Sequence, residues 1–241
     1  MLVHGFGATP DEMRPLGDAL AAAGYAAHGL LLPGHGTTID DFAAHGREAW
    51  QRTVSDAVRR LRSHGHDVVL VGMSMGALLS LTTAAGMPQD VAALVLCGTA
   101  LEVADRRAAW VARLAGARVV RRLIPSVPKP GGRDISDPGA RTASPAYPRI
   151  PLATLSELAR LQREARGILG SVTQPVLALH GRHDHAVPVH TLDQLRAGLA
   201  SPWIETHVLE RSWHIVTLDV ERDLVASLVV DFLARVGSNR P

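Results

Sequence analysis

The stretch that decides the fold is Val68-Val69-Leu70-Val71-Gly72-Met73-Ser74-Met75-Gly76-Ala77-Leu78-Leu79. Its first four residues form an aliphatic run suited to a strand buried on both faces, and Ala77 onward has the composition of a buried helix. Between them lies G-x-S-x-G, the pattern of a serine held in a sharp strand-to-helix turn. Such a turn lifts the hydroxyl clear of the backbone, and the small flanking residues Gly72 and Gly76 avoid clashes within it. The helix that follows aims its N-terminus at any negative charge developing near the serine. Ser74 is therefore the expected nucleophile.

Outward from this turn, short apolar runs alternate with amphipathic segments. Leu2-Val3 reads as the end of a strand, Asp11 to Ala23 as a helix and Ala26 to Leu32 as a strand. A helix follows from Arg47 to His64, then the strand Val68 to Val71, a helix from Ser74 to Ala85 and a strand from Val91 to Cys97. The pattern resumes with strands at Val176 to Leu179 and Ile204 to Leu209, each followed by a helix (His190 to Ala200 and Val220 to Val236). This alternation implies a mostly parallel sheet with helices on both faces. Leu101 to Arg122 and Leu152 to Leu169 have helical spacing. The ten prolines and glycines between Pro125 and Pro151 argue against regular structure there. The expectation is one domain over residues 1–241, with an insertion at about 101–170 that caps the active end of the sheet.

Composition narrows the function classes. With 46% hydrophobic and 20% charged residues the chain is an ordinary globular protein, and its formal charge of +2 is spread without basic blocks. That gives no footprint for nucleic acid. Val68 to Pro88 lacks charge over about 20 residues, enough to span a bilayer, but it divides into a strand, a glycine-flanked serine and a helix carrying Ser80, Thr82 and Thr83. No transmembrane segment is expected. The lone Cys97, inside an apolar run, reads as a buried inert thiol and excludes an internal disulfide framework. Met1-Leu2-Val3-His4 has no basic n-region and no long apolar core, so no signal peptide is expected and the expected location is cytoplasmic. Leu2-Val3 is short for a strand that ordinarily has about 5–6 residues, which leads to the expectation of a truncated first strand and of native chain upstream.

A serine hydroxyl needs a base, and the base needs an orienting acid. On a sheet carrying this elbow the chain order is serine, acid, histidine. Leu177-Ala178-Leu179-His180-Gly181-Arg182-His183-Asp184 is an apolar strand leaving into a polar loop, which places Asp184 past a strand's C-terminal end, where open α/β sheets hold their sites. Glu210-Arg211-Ser212-Trp213-His214 does the same after the next strand. Asp184 is the expected acid and His214 the expected base. His183 and His185 read as loop residues, His35 as a turn residue and Asp219 as a cap or supporting group beside the last helix. The run His180 to His185 has the outline of a binuclear metal motif, but Arg182 occupies a ligand position and no second cluster has ligand spacing, so neither metal nor cofactor is expected.

Taken together, His4-Gly5-Phe6-Gly7, Met13-Arg14-Pro15-Leu16, Pro33-Gly34-His35-Gly36-Thr37, Gly72 to Gly76, His183-Asp184 and His214 to Asp219 resemble the bacterial carboxylesterases and monoacylglycerol lipases of the α/β-hydrolase superfamily. The resemblance runs over nearly the whole chain and is weakest in the proline-rich insertion. It implies the α/β-hydrolase fold, a carboxylic ester as small-molecule substrate and an oxyanion hole made by the backbone N–H groups of Phe6 and Met75, with His4 buttressing the Phe6 turn. It favours monoacylglycerols or short-to-medium-chain esters. Thioester, lactone and C–C bond hydrolysis use the same constellation, and a non-catalytic binding member of the fold is the alternative outside enzymes. Leu114, Val119, Val120, Leu123, Ile124, Leu152, Leu155 and Leu158 are the insertion residues suited to an apolar group.

Overall fold

The alternation read from the sequence becomes a layered α/β structure. The computed structural model describes residues 1–104, 118–128, 133–143 and 147–238. The first half contains β1 (Leu2–Val3), a 3-10 turn at Pro10–Met13, α1 (Arg14–Ala22), β2 (Gly29–Leu30), α2 (Ile39–Ala44), α3 (Arg47–Ser63), β3 (Val68–Met73), α4 (Met75–Gly86) and β4 (Val91–Cys97). Then come α5 (Arg118–Leu123), β5 (Ser126–Pro128), α6 (Pro138–Ala143), β6 (Arg149–Pro151) and α7 (Leu152–Gly167). The last part holds β7 (Val176–Gly181), α8 (Thr191–Gly198), β8 (Ile204–Leu209) and α9 (Arg222–Ser238).

Six strands form one sheet in the order β2-β1-β3-β4-β7-β8, and every neighbouring pair is parallel. Successive side chains leave a strand on opposite faces, and the aliphatic runs exploit this. Val3, Leu70, Leu94, Leu96, Val176 and Ala178 pack on the face covered by α3, α4, α7 and α8. Leu2, Val71, Met73, Val95, Leu177 and Leu179 pack on the opposite face against α1 and α9, whose Leu16, Leu20, Val229 and Phe232 meet them. The uncharged stretch from Val68 is thus a doubly buried strand and helix, and no helix among the described residues is long and apolar enough to cross a membrane. Cys97 is buried at the end of β4, where burial pushes its thiol up to about 12.

Three expectations change. The strand expected over Ala26 to Leu32 shrinks to Gly29–Leu30, because its ladder partner is the two-residue β1 and residues 26–29 are exposed. The helix expected from Leu101 is absent over 101–104: Leu101 N–H turns back onto the Thr99 carbonyl at 2.8 Å, and Ala104 N–H is taken by the Ala186 carbonyl at 2.8 Å. Residues 105–117 of that expected helix lie outside the described residues, and α5 covers its last turn. The proline-rich region does hold regular structure. Pro138 opens α6, where its missing N–H is not needed, while the Asp137 carboxylate caps Gly139 and Ala140 N–H groups at 2.9 and 3.1 Å. β5 and β6 form a separate antiparallel pair. Helix α2 escapes the hydrophobic pattern, although Thr38 caps it by accepting the Asp41 N–H at 3.2 Å.

Because β4 and β7 are sheet neighbours, everything between Cys97 and Val176 is an insertion relative to the sheet. The close approach of α4 to β1 fixes the elbow. A Cβ added to Gly76 would lie 2.0 Å from the Val3 carbonyl oxygen, and one added to Gly72 would lie 2.4 Å from the Gly76 carbonyl carbon. Both obstacles are backbone, so Gly76→Ala is expected to lower the unfolding free energy by about 1–3 kcal/mol or more. Denaturant titration of parent and variant checks this, and equal midpoints would contradict the packing.

Candidate active site

At the end of β3 the chain must reverse within one residue to enter α4. Ser74 makes that reversal with φ 55° and ψ −109°, and it is the only non-glycine with positive φ among the described residues. Such a conformation costs on the order of 1–3 kcal/mol. Two bonds hold it: Ser74 N–H to the Cys97 carbonyl at 2.8 Å, and Ala77 N–H to the Ser74 carbonyl at 3.1 Å. Met75 is the first residue of α4, so its N–H has no intrahelical acceptor and remains available beside the serine.

Two loops leave the C-terminal ends of β7 and β8 and meet above the serine. His214 Nε2 lies 2.9 Å from Ser74 Oγ, and its Nδ1 lies 2.7 Å from Asp184 Oδ2. The carboxylate can only accept, so Nδ1 carries the proton and the Nε2 lone pair faces the hydroxyl. The side chains of Asp184 and His214 are only 1% and 10% exposed. The structure therefore brings Ser74, Asp184 and His214 into one relay. His183 is exposed, and the His185 ring binds the Asp134 carboxylate at 2.8 Å, so neither stands in this relay.

The acid is saturated with donors. Asp184 Oδ1 accepts the N–H groups of Ala186 and Val187 at 2.8 and 2.7 Å. Its Oδ2 receives His214 and also His180 Nε2, 3.0 Å away. His180 is fully buried, its Nε2 also faces the Val187 carbonyl at 3.1 Å, and its Nδ1 has no hydrogen-bond partner among the described residues. Burial pushes the Asp184 carboxyl upward, but the charge of His214 and the bonds from His180 and His214 overcome it and hold the group well below the usual carboxylate range. For His214, burial pulls the imidazole down, and the adjacent Asp184 charge outweighs it, so the ring ends above its ordinary 6.5.

Supporting groups fix the loops. Asp219 accepts Trp213 N–H at 2.7 Å, Ser136 Oγ at 2.6 Å and Asp137 N–H at 2.9 Å, tying the histidine loop to the insertion. Burial raises Asp219, but the bonds from Ser136, Trp213 and Asp137 bring its carboxyl below the ordinary value. Glu221 takes Ser212 Oγ at 2.6 Å and Arg211 N–H at 2.9 Å. His4 Nδ1 is 2.9 Å from the Gly5 carbonyl and its Nε2 accepts Leu32 N–H at 3.2 Å, so His4 braces the turn that carries Phe6. Burial lowers both His4 and its ring neighbour His35 to about 4, so each is neutral near pH 7.

A cavity of about 440 Å³ opens over the serine. Apolar Phe6, Val103, Ile150, Leu158, Val187 and Trp213 share its wall with the buried Glu12–Arg133 ion pair. Of the apolar insertion residues singled out from the sequence, Leu158 lines this cavity, Leu152 is buried, and Leu123 and Ile124 face solvent. Leu114 and the side chain of Val119 lie outside the described residues. Tyr147 is spent on the neighbouring loop, where its hydroxyl reaches the Gly34 carbonyl at 3.1 Å and its ring stacks on Phe42. Sequence reasoning did not single out His180, Glu221, Glu12 or Arg133 as site residues. The spacing of His180 and Asp184 at a strand end could have suggested the first; the others carry no local signal.

Known proteins resemble this chain in sequence and in fold. The family model described as serine aminopeptidase, S33, matches residues 1–221. A thermostable monoacylglycerol lipase of Bacillus sp. (strain H-257) is 31% identical over 235 residues, covering 98% of this chain and 90% of the relative. A carboxylesterase of Bacillus subtilis (strain 168) is 24% identical, covering 98% and 92%. Among solved structures, one from work on two metagenome-derived lipolytic enzymes, LipS and LipT, superposes with a TM-score of 0.88 at 29% identity, covering 97% of this chain and 92% of the other.

The two shifts have opposite linkage signs. The raised imidazole contributes stability that is full below its unfolded value near 6.5 and is lost as pH rises through the folded value. The depressed Asp184 contributes above about 3.9 and loses its contribution as pH falls through its folded value. NMR titration of His214 is expected to give a midpoint above 6.5, and Asp184→Asn should move it down. A midpoint indifferent to Asp184→Asn would contradict the pairing.

Proposed function

This chain belongs to the serine aminopeptidase, S33 family, and we propose that it hydrolyses carboxylic esters through an acyl-enzyme formed on Ser74. The observation that carries the reading is the relay itself: a hydroxyl lifted on a positive-φ turn, 2.9 Å from an imidazole that is 2.7 Å from a buried carboxylate. Ser74 Oγ attacks the ester carbonyl as His214 Nε2 takes its proton. Asp184 stays ionised, holding the ring and the imidazolium that forms. The N–H groups of Phe6 and Met75 receive the carbonyl oxygen as it becomes anionic. His214 then returns its proton to the departing alcohol, and the same imidazole activates the water that frees the acid.

The substrate reading is an ester with a short-to-medium acyl chain, monoacylglycerols included. The apolar wall of the cavity and its volume, within the range of small-ligand sites, support it. So do the monoacylglycerol lipase and the carboxylesterase that align over nearly the full chain. The insertion between β4 and β7 supplies Ile150 and Leu158 to that wall and acts as the cap. A cytoplasmic setting is part of this reading, consistent with a single buried thiol. Hydrolysis of short- and medium-chain nitrophenyl esters by the parent, with Ser74→Ala lowering kcat by about 10⁶ at unchanged fold, is the expected result. Equal turnover by the variant would remove Ser74 from the mechanism.

A further inference from the structure

We infer that Glu12, balanced by Arg133, is a positioning residue that holds the Gly5–Phe6 turn so that the Phe6 N–H meets the oxygen of the reacting carbonyl. The inference rests on the acyl-transfer reading above and adds a device to it. Gly5 stands directly beside the nucleophile: a Cβ built on it would lie 3.3 Å from Ser74 Cβ and 3.4 Å from the Met73 carbonyl oxygen. Its N–H donates to Glu12 Oε1, and its carbonyl faces His4 Nδ1 at 2.9 Å and Ala8 N–H at 3.3 Å. The Gly5 carbonyl and the Phe6 N–H belong to one planar trans peptide unit and point in opposite directions. Holding Gly5 at both its N–H and its carbonyl therefore removes the rotation that would swing the Phe6 N–H away. A donor of this kind acts only where it matches the oxyanion's position.

Glu12 is itself fixed from three sides. Its backbone N–H reaches the Thr9 carbonyl at 3.2 Å, and its carbonyl accepts Thr217 Oγ1 at 2.7 Å, from the loop that carries His214. Its second carboxylate oxygen accepts Arg133 Nη2, with the two side chains 3% and 4% exposed. Ion pairs buried this deeply contribute little net stability compared with apolar packing, so the consequence of this one lies in where it puts a carboxylate oxygen. Arg133 comes from the insertion, and the next residue completes the connection. Asp134 takes His185 N–H at 2.9 Å and its ring at 2.8 Å, while its carbonyl accepts Ile215 N–H at 3.1 Å. The dipeptide Arg133-Asp134 thus touches the oxyanion turn through Glu12, the acid loop through His185 and the histidine loop through Ile215. Seating of the insertion and alignment of the oxyanion turn become one event.

Two conservative changes separate the acceptor from the charge. Glu12→Asp keeps the ion-pair charge but withdraws the carboxylate from Gly5 by one methylene. Glu12→Gln/Arg133→Met removes both charges but keeps an oxygen that can accept the Gly5 N–H. With nitrophenyl ester as substrate, Glu12→Asp is expected to lower kcat about 10–100-fold with KM within about 3-fold, short of the 10²–10³ that follows outright loss of a donor. The double variant keeps the acceptor for the Gly5 N–H but gives up the tie to the insertion, so it is expected to lower kcat by less than Glu12→Asp does. Thermal melts run in parallel should show no correlation between Tm and kcat. Parent-like kcat in Glu12→Asp, a double variant as slow as Glu12→Asp, or losses of kcat that follow Tm in both would overturn the inference. Failure of the acyl-transfer reading looks different: the parent itself would be inactive, or as active as Ser74→Ala.

Discussion

The structure depends on a one-residue reversal. β3 is hydrogen-bonded on both sides, to β1 and β4, so the serine at its end has no lateral freedom. The helix that follows must start at once and pass against the Val3 backbone, which is possible only because residue 76 lacks a side chain. These two constraints force Ser74 into a conformation that non-glycine residues rarely adopt, and the surrounding ladder overcomes the strain. The same constraint fixes the hydroxyl and the first N–H of α4 side by side. Ser74 alone stands between the end of β3 and the start of α4.

Around that rigid point the chemistry is assembled from loops, and burial decides its electrostatics. Asp184 is removed from water, yet its carboxyl stays well below the usual carboxylate range because the charge of His214 and the bonds from His180 and His214 outweigh burial. Its charge then sets the tautomer and basicity of His214. Loops leaving β1, β7 and β8 have no ladder to hold them near Ser74, so buried carboxylates anchor them instead. Glu12 does so under the Phe6 turn, and Asp219 and Glu221 do so inside the histidine loop. The insertion reaches each of these loops through Arg133, Asp134 and Ser136, which makes it a brace for the site as well as part of its wall.

Much of this was legible in the residues. The aliphatic runs at Val68, Val91 and Val176 gave strands close to those observed, because a doubly buried parallel strand has few alternatives to an unbroken apolar run. The G-x-S-x-G elbow and the polar loops past two later strands put Ser74, Asp184 and His214 on one sheet edge. What escaped were contacts between residues distant in sequence. Glu12 reads as an ordinary acidic residue at a helix start, and Arg133 as one more arginine in a proline-rich stretch; only folding places them 3–4% exposed against each other. The short β2 escaped for a related reason: its length is set by its partner, not by its own residues. Pro138 misled because proline density argues against helices in general while favouring their first position.

Covalent capture is the sharpest test of Ser74 as the nucleophile that the turn exposes. The parent protein, incubated with a fluorophosphonate and read by intact mass and peptide mapping, should gain a single adduct carried on Ser74, formed more slowly when His214 is replaced by alanine. A folded parent that takes up no label, or carries it on another residue, would contradict that role for Ser74.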